Sequence, residues 1–190
     1  MKLMEEKILS EGKVFPGGIL KVGSFLNHNL DCDFLLKVAE EIASLYKDSG
    51  ATKILTVESS GIAIAALVGA VMHIPALFAK KHKTTNIGGE VYAAKVHSYT
   101  HNTDYTIVVE KEFLTSEDKV LFVDDFLAEG NALLGLLDIC AQAGAKPVGA
   151  AIAVEKSFQS GGKKLREAGL RVESMAIIES MESGNVKFRP

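Results

Sequence analysis

The feature that most restricts what this chain can fold into is a run of four apolar residues, Val120-Leu121-Phe122-Val123, leading without a break into two acids, Asp124 and Asp125. Such a run lacks the in-and-out alternation of a half-exposed strand, so it predicts a strand of a parallel sheet covered on both faces. The acids then emerge at the carboxyl end of that strand, the edge where open α/β sheets bind ligands. After a short loop, Leu133, Leu134, Leu136, Leu137 and Cys140 recur at helical spacing until Gly144 stops the run. The first turn of that helix leaves backbone N–H groups without partners, and these attract an anion. Carboxylates for hydroxyls beside free N–H groups for a phosphate together describe a phosphosugar site.

The rest of the chain alternates in the same α/β manner. Asp31 or Asp33 can cap a helix that places Phe34, Val38, Ile42 and Leu45 on one face and ends at Gly50. Residues 53–57 read as a buried strand, 58–61 as a turn, 62–72 as a helix and 75–79 as the next strand, a βαβ unit. The basic residues Lys80, Lys81 and Lys83 lead through residues 84–89 into an alternating segment. There Tyr92, Ala94, Val96 and Ser98 face opposite to Val91, Ala93, Lys95 and His97. With residues 105–109, which follow the polar turn 101–104, this predicts an antiparallel hairpin. Residues 119–123 return to the sheet, and residues 147–154 add a strand ending at Glu155-Lys156. A length of 190 residues with 47 % hydrophobic content suits one domain around one sizeable core.

Composition removes several functions. A net charge of −3 and a pI near 6.0 provide no general basic surface, so no nucleic-acid partner is expected. Residues 1–12 read as a short charged amphipathic helix without the apolar core of a signal peptide, and the longest apolar stretch, residues 62–72, is too short for a membrane span. Cys32 and Cys140 lack metal-ligand spacing and read as free thiols in or near helices, fitting a reducing cytoplasm; the five His form no zinc pattern. A strand ending in Asp-Asp also opens receiver domains, but there it comes first in the chain. Here it comes late, and the only later Asp is Asp138, inside a helix.

Four apolar residues, two acids and a small-residue loop resemble the 5-phosphoribosyl 1-pyrophosphate (PRPP) motif of the type I phosphoribosyltransferases. The order helix, βαβ, hairpin, βαβ extends the resemblance over nearly the whole chain. It implies a single domain of type I phosphoribosyltransferase fold, a mostly parallel twisted sheet flanked by helices. Residues 1–30 and about 157–190 would contribute a hood, and residues about 81–105 a mobile β-hairpin lid hinged near Thr84-Thr85 and Gly88-Gly89. By the same resemblance, Asp124 and Asp125 hold the ribose hydroxyls, while backbone N–H groups of Ala128, Glu129, Gly130, Asn131 and Ala132 cradle the 5′-phosphate. Many members end this loop with a hydroxyl-bearing pair; Asn131-Ala132 leaves that work to the backbone and the Asn131 amide. Glu129, an acid beside a phosphate, is expected to point to water. Glu58-Ser59-Ser60-Gly61 matches the pyrophosphate loop by position, with Ser59 on the diphosphate and a non-proline cis peptide near Glu58-Ser59. Among the lysines the resemblance favours Lys81, reaching a neighbouring subunit's site in a homodimer.

At the other end of the site, Ile19-Leu20-Lys21-Val22-Gly23-Ser24-Phe25-Leu26-Asn27-His28 and Val154-Glu155-Lys156-Ser157-Phe158 resemble the bacterial members of the family that act on xanthine. This implies that Leu20 packs on the purine, Asn27 hydrogen-bonds it and Lys156 donates to a base oxygen. Xanthine carries oxygens at C2 and C6 and tends toward an anion, so a lysine and an amide suit it better than adenine. Gly23 stands where an Asp is common, at a position with no assigned role on the base. The implied activity is transfer of the phosphoribosyl group from magnesium-bound PRPP to N9 of xanthine in purine salvage, with no nucleic-acid or membrane partner. Guanine or hypoxanthine as the base, and a non-catalytic PRPP-sensing regulator, stay open as alternatives. The regulator needs a DNA-binding appendage for which the N-terminal segment is too small.

Overall fold

The computed structural model describes residues 1–81, 89–98, 103–182 and 184–189. Its elements are α1 (Lys2–Glu11), β1 (Lys13–Phe15), β2 (Ile19–Lys21), α2 (Cys32–Tyr46), β3 (Lys53–Val57), α3 (Gly61–Met72), β4 (Ala76–Ala79), β5 (Val91–Ser98), β6 (Thr103–Glu110), β7 (Lys119–Leu127), α4 (Asn131–Ala143), β8 (Lys146–Lys156), α5 (Gly161–Glu167), β9 (Val172–Glu182) and β10 (Asn185–Phe188). The main sheet has the order β10-β9-β8-β7-β3-β4. Neighbouring strands in it are parallel, except that β10 runs antiparallel to β9.

The apolar run has the double coverage its composition predicts. Leu121 and Val123 point into one core layer, with Phe34, Val38 and Ile42 of α2 and Ile64 and Val68 of α3. Val120 and Phe122 point into the other, with Leu133, Leu136 and Ile139 of α4 and Ala94, Val96 and Ile107 of the β5–β6 hairpin. Each large apolar side chain so buried contributes about 1.5–3 kcal/mol, so the middle of β7 anchors both layers at once and holds its carboxyl end in place.

Local chemistry sets the element ends. The Asp31 carboxylate accepts from the Phe34 N–H at 3.1 Å and caps α2, while its other oxygen takes Lys7 of α1 at 2.7 Å. Helix α2 ends at Tyr46, earlier than Gly50 suggested, where Ser49 donates to the Tyr46 carbonyl with its N–H at 3.0 Å and its hydroxyl at 2.6 Å; the Tyr46 side chain is buried in the core. Its hydroxyl donates to the Ala150 carbonyl at 2.8 Å, and burial pushes its pKa up to about 12. Gly144 closes α4 at φ 70°.

The predicted hairpin is present and longer than expected, and its stem is fixed to α4. Gln142 bonds both the N–H and the carbonyl of Ala93, at 3.3 and 2.9 Å. Gly135 lets the two elements meet, since a Cβ there would lie 2.6 Å from Val96 Cγ2. The parts of the expected lid at residues 82–88 and 99–102, with Lys83, Thr84, Thr85, Gly88 and His101, lie outside the described residues.

Of the expected hood segments, Val172–Glu182 forms β9 in the main sheet beside β8, and α1 lies against β9, where the Met1 amino group donates to the Met175 carbonyl at 2.5 Å. Residues 13–21 form a small separate hairpin. Among the described residues no helix is long and apolar enough to cross a membrane.

Candidate active site

Strand β7 runs on through both acids to Leu127, further than the apolar run alone indicated. Its pairing with β3 stops at Leu55–Phe122, while its pairing with β8 continues through Asp124–Ile152 to Leu127–Glu155. The acids therefore stand at the rim above β3 yet remain held by ladder bonds on the β8 side. Strand alternation sends Asp124 and Phe126 to one face and Asp125 to the other.

The Asp124 carboxylate accepts from the Asp125 N–H at 2.9 Å, and Asp125 accepts from the Asn27 side-chain amide at 3.1 Å. Burial, followed by the adjacent Asp125 charge, holds the Asp124 pKa well above the usual carboxylate range, with Lys81 pulling the other way. Burial and the Asp124 charge likewise raise Tyr105. Asp124, Asp125, Tyr105 and Lys81 line a cavity of about 140 Å³ with residues 57–61 and Ala132. The Glu58–Ser59 peptide bond in its wall is cis. Glu58 accepts from the Lys81 backbone N–H at 2.6 Å, and the Lys81 ammonium lies 5.5 Å from the Tyr105 ring centre. Gly61 has to be glycine: a Cβ there would collide with Thr56 Oγ1 and come 2.8 Å from Asp124 Oδ1. Lys80 is turned away, bridged to β6 and 3.9 Å from Glu110.

A second cavity, about 470 Å³, shares Asp124, Tyr105 and Ala132 with the first. It extends along residues 127–133 and past Phe126 to Gly17, Gly18, Ile19, Lys156 and Gln159. No side chain caps α4, and Gly130, which precedes it, has φ 82°. The N–H groups of that turn are thus available to an anion. Gly130 also lies flat against the start of α5: a Cβ on it would approach Gly161 Cα to 3.0 Å, one on Gly161 would come 2.6 Å from Gly130 N, and Gly161 N–H donates to the Ala128 carbonyl at 2.9 Å.

Two side chains of this loop are placed differently from the sequence expectation. Glu129 is turned only partly to water, its side chain 29 % exposed; it accepts from the Ser160 hydroxyl and lies 3.7 Å from the Lys164 ammonium. The Asn131 amide nitrogen donates to the His97 carbonyl at 2.9 Å and ties α4 to the hairpin, while the residue also lines the larger cavity.

At the far end, Lys156 donates to the Gly18 carbonyl at 2.9 Å and sits 5.6 Å from the Phe126 ring centre, and burial lowers its pKa. Leu20 is only 7 % exposed and faces the core; its neighbour Ile19, at 50 %, lines the cavity. The one-residue alternation of β2 accounts for this, since the two side chains point opposite ways. Asn27 lies beside Asp125 rather than on the wall of the larger cavity. Ser59 is exposed on the smaller cavity. Ile19, Phe126, Tyr105 and Gln159 were not picked out from the sequence. Counting by twos from Leu20 to exclude it, and from Asp124 onward, would have found the first two; Tyr105 and Gln159 carry no local signal.

The arrangement can grip a ligand at three points around Asp124: an anion over Lys81 and the β3–α3 turn, a second anion over the start of α4, and a flat polar ring between Ile19, Phe126 and Lys156. Among the described residues no three His, Cys, Asp or Glu side chains converge on one point. The acidic pair supplies only two side chains, so a divalent cation here would need further oxygens from a ligand.

The phosphoribosyl transferase domain family model matches residues 31–181. A xanthine phosphoribosyltransferase of Ligilactobacillus salivarius is 50 % identical over 188 residues, 99 % of this chain and 98 % of that protein. One from Oceanobacillus iheyensis is 49 % identical over 189 residues, covering 100 % and 97 %. Among solved structures, an APRTase from Giardia lamblia complexed with 9-deazaadenine superposes with a TM-score of 0.78 at 24 % identity, covering 93 % of this chain and 98 % of that one. With both its acidic strand end and its full length matched, the chain belongs to the phosphoribosyl transferase domain family.

Proposed function

We propose that this protein transfers the 5-phosphoribosyl group of PRPP to N9 of xanthine, giving xanthosine 5′-monophosphate and pyrophosphate in purine salvage. The observation that carries the reading is one continuous cavity with the anion-ready start of α4 at one end, Lys156 at the other and Asp124 between them. Its volume lies in the usual range for a small-molecule site. The 5′-phosphate sits on the N–H groups of residues 128–132, Asp124 and Asp125 hold the ribose hydroxyls, and the diphosphate lies over Ser59 and Lys81. Magnesium enters with PRPP as part of the substrate and offsets the charge of the departing diphosphate. The bond from C1′ to the diphosphate loosens ahead of attack by N9, so positive charge grows on the ribose above the acidic pair. No side-chain nucleophile takes part. The two free thiols, Cys32 and Cys140, suit a cytoplasmic setting. The working unit in this reading is a homodimer, and a monomer mass by sedimentation velocity at micromolar concentration would remove that part of it.

The test is PRPP-dependent nucleotide formation with xanthine, guanine, hypoxanthine and adenine in parallel, xanthine being the expected best base. Lys156→Ala leaves a xanthine oxygen without its charged donor. The expected cost is about 2–4 kcal/mol in kcat/KM for xanthine, roughly 30- to 1000-fold. The KM for PRPP should stay near the parent value, because that substrate binds at other strand ends. A variant that uses xanthine as well as the parent does would strip Lys156 of this role.

A further inference from the structure

Among the described residues two buried side-chain polar atoms have no hydrogen-bond partner, Thr56 Oγ1 and Gln159 Oε1. Thr56 Oγ1 is packed beneath Gly61, which lines the smaller cavity, and Thr56 itself does not reach that cavity. Gln159 is different, because it lines the larger cavity together with Lys156, Phe126 and Ile19. A carbonyl oxygen withdrawn from water and left without a donor is unfavourable, and a turn of this side chain toward the cavity its residue lines lets a ligand bring the donor.

We infer that Gln159 is a specificity-determining residue, whose Oε1 accepts a ring N–H of the nucleobase and so selects 6-oxopurines over adenine. This rests on the purine transfer proposed above and extends it. Gln159 N–H donates to the Lys156 carbonyl at 3.0 Å, which puts both side chains on one tight turn. The turn therefore carries an ammonium donor and an amide acceptor three residues apart, both on residues that line the larger cavity. Hypoxanthine, guanine and xanthine all carry the matching edge, an oxygen at C6 next to a protonated N1. Adenine carries the reverse, an amino group at C6 next to an unprotonated N1. It would face Lys156 with a donor and Gln159 Oε1 with a lone pair, so Gln159 Oε1 would stay without a donor and Lys156 would gain no acceptor beyond the Gly18 carbonyl. Lys156 alone rewards an oxygen; the acceptor beside it also penalises a ring nitrogen that has no hydrogen.

The test compares the parent enzyme with Gln159→Met, which keeps length and removes the acceptor, and with Gln159→Glu, which keeps acceptor oxygens. Hypoxanthine and guanine are the reporting bases because they are neutral, with xanthine and adenine run alongside. In Gln159→Met, kcat/KM for hypoxanthine and guanine should fall by about 10- to 100-fold. Adenine should be unchanged or better, and the KM for PRPP and the melting temperature should match the parent. Gln159→Glu should recover a large part of the loss on the neutral bases. The inference is overturned if Gln159→Met keeps the parent's ratio of hypoxanthine to adenine, if all bases and PRPP weaken together, or if the glutamate variant is as impaired as the methionine one. A parent that prefers guanine or hypoxanthine to xanthine would overturn the xanthine assignment and leave the Gln159 comparison fully readable on that base. A parent that uses adenine alone, or no base, overturns both.

Discussion

Asp124→Asn combined with Asp125→Asn is expected to lower turnover by about 10²–10³-fold or more, the scale seen when a single preorganised electrostatic contact to a transition state is lost. Asp124→Asn alone should make the protein more stable at neutral pH. Asp124 is held, by burial and then by the Asp125 charge, well above its ordinary value of 3.8. A carboxyl with a raised pKa favours the neutral form in the folded chain. Ionisation therefore begins to cost stability as the pH rises through the unfolded value, and the full cost is present above the folded one. An amide carries no such cost. Scanning calorimetry should show Asp124→Asn melting above the parent at pH 7, with the gap closing below the unfolded value near pH 3.8. A variant that is less stable at both ends of that range, or that keeps near-normal turnover, would make the pair an ordinary solvated strand end.

The largest expected loss of stability comes from Arg166→Ala, outside the ligand cavities. Glu155, 2 % exposed at the end of β8, receives two bonds of 2.7 Å from Arg166 and one of 2.5 Å from the Ser174 hydroxyl. The pair forms because Gly162 has no Cβ, which would collide with Glu155 Oε1. Removing the cation strands a buried carboxylate, and the cost is about 3 kcal/mol, the low end of the usual range because the Arg166 side chain is 37 % exposed and water shares its place. Denaturant titration at pH 7 measures it, and Glu155→Gln added to the variant should return part of the loss. The pH dependence carries a sign as well. Burial raises the Glu155 pKa, but the Arg166 and Ser174 bonds outweigh it, so the group lies below its ordinary 4.5. Its contribution is in place above that unfolded value and disappears as the pH falls through the folded one. In Arg166→Ala burial dominates, so the gap to the parent should narrow on acidification. A gap independent of pH would mean that lost packing, not lost charge, sets the cost.

What could be read from the sequence were features whose cause lies within a few residues. The apolar run of β7, the Asp31 cap of α2, Gly144 after α4 and the Glu58–Ser59 turn all report on their own neighbourhood. What escaped was decided by partners far along the chain. Glu129 is drawn off by Ser160 and Lys164, and Asn131 by the His97 carbonyl, contacts made only once α5 and the hairpin have docked. Leu20 and Ile19 are equally apolar, so composition could not say which faces the core; the register of a three-residue strand decides it. Helix α5 opens with two glycines and has one fully buried leucine, too little periodicity to stand out, yet both glycines are required by what they touch.

Gly130 and Gly161 meet backbone to backbone, and each would intrude on the other if it carried a side chain. Neither can be made smaller to compensate for a change in the other, so the spacing between the loop at the start of α4 and the turn bearing Lys156 and Gln159 behaves as a fixed gauge. A nucleotide, too, has a set length from its phosphate to its base. In the function proposed above, variation confined to the side chains at positions 156 and 159 would retune which ring is accepted while this gauge keeps the same length.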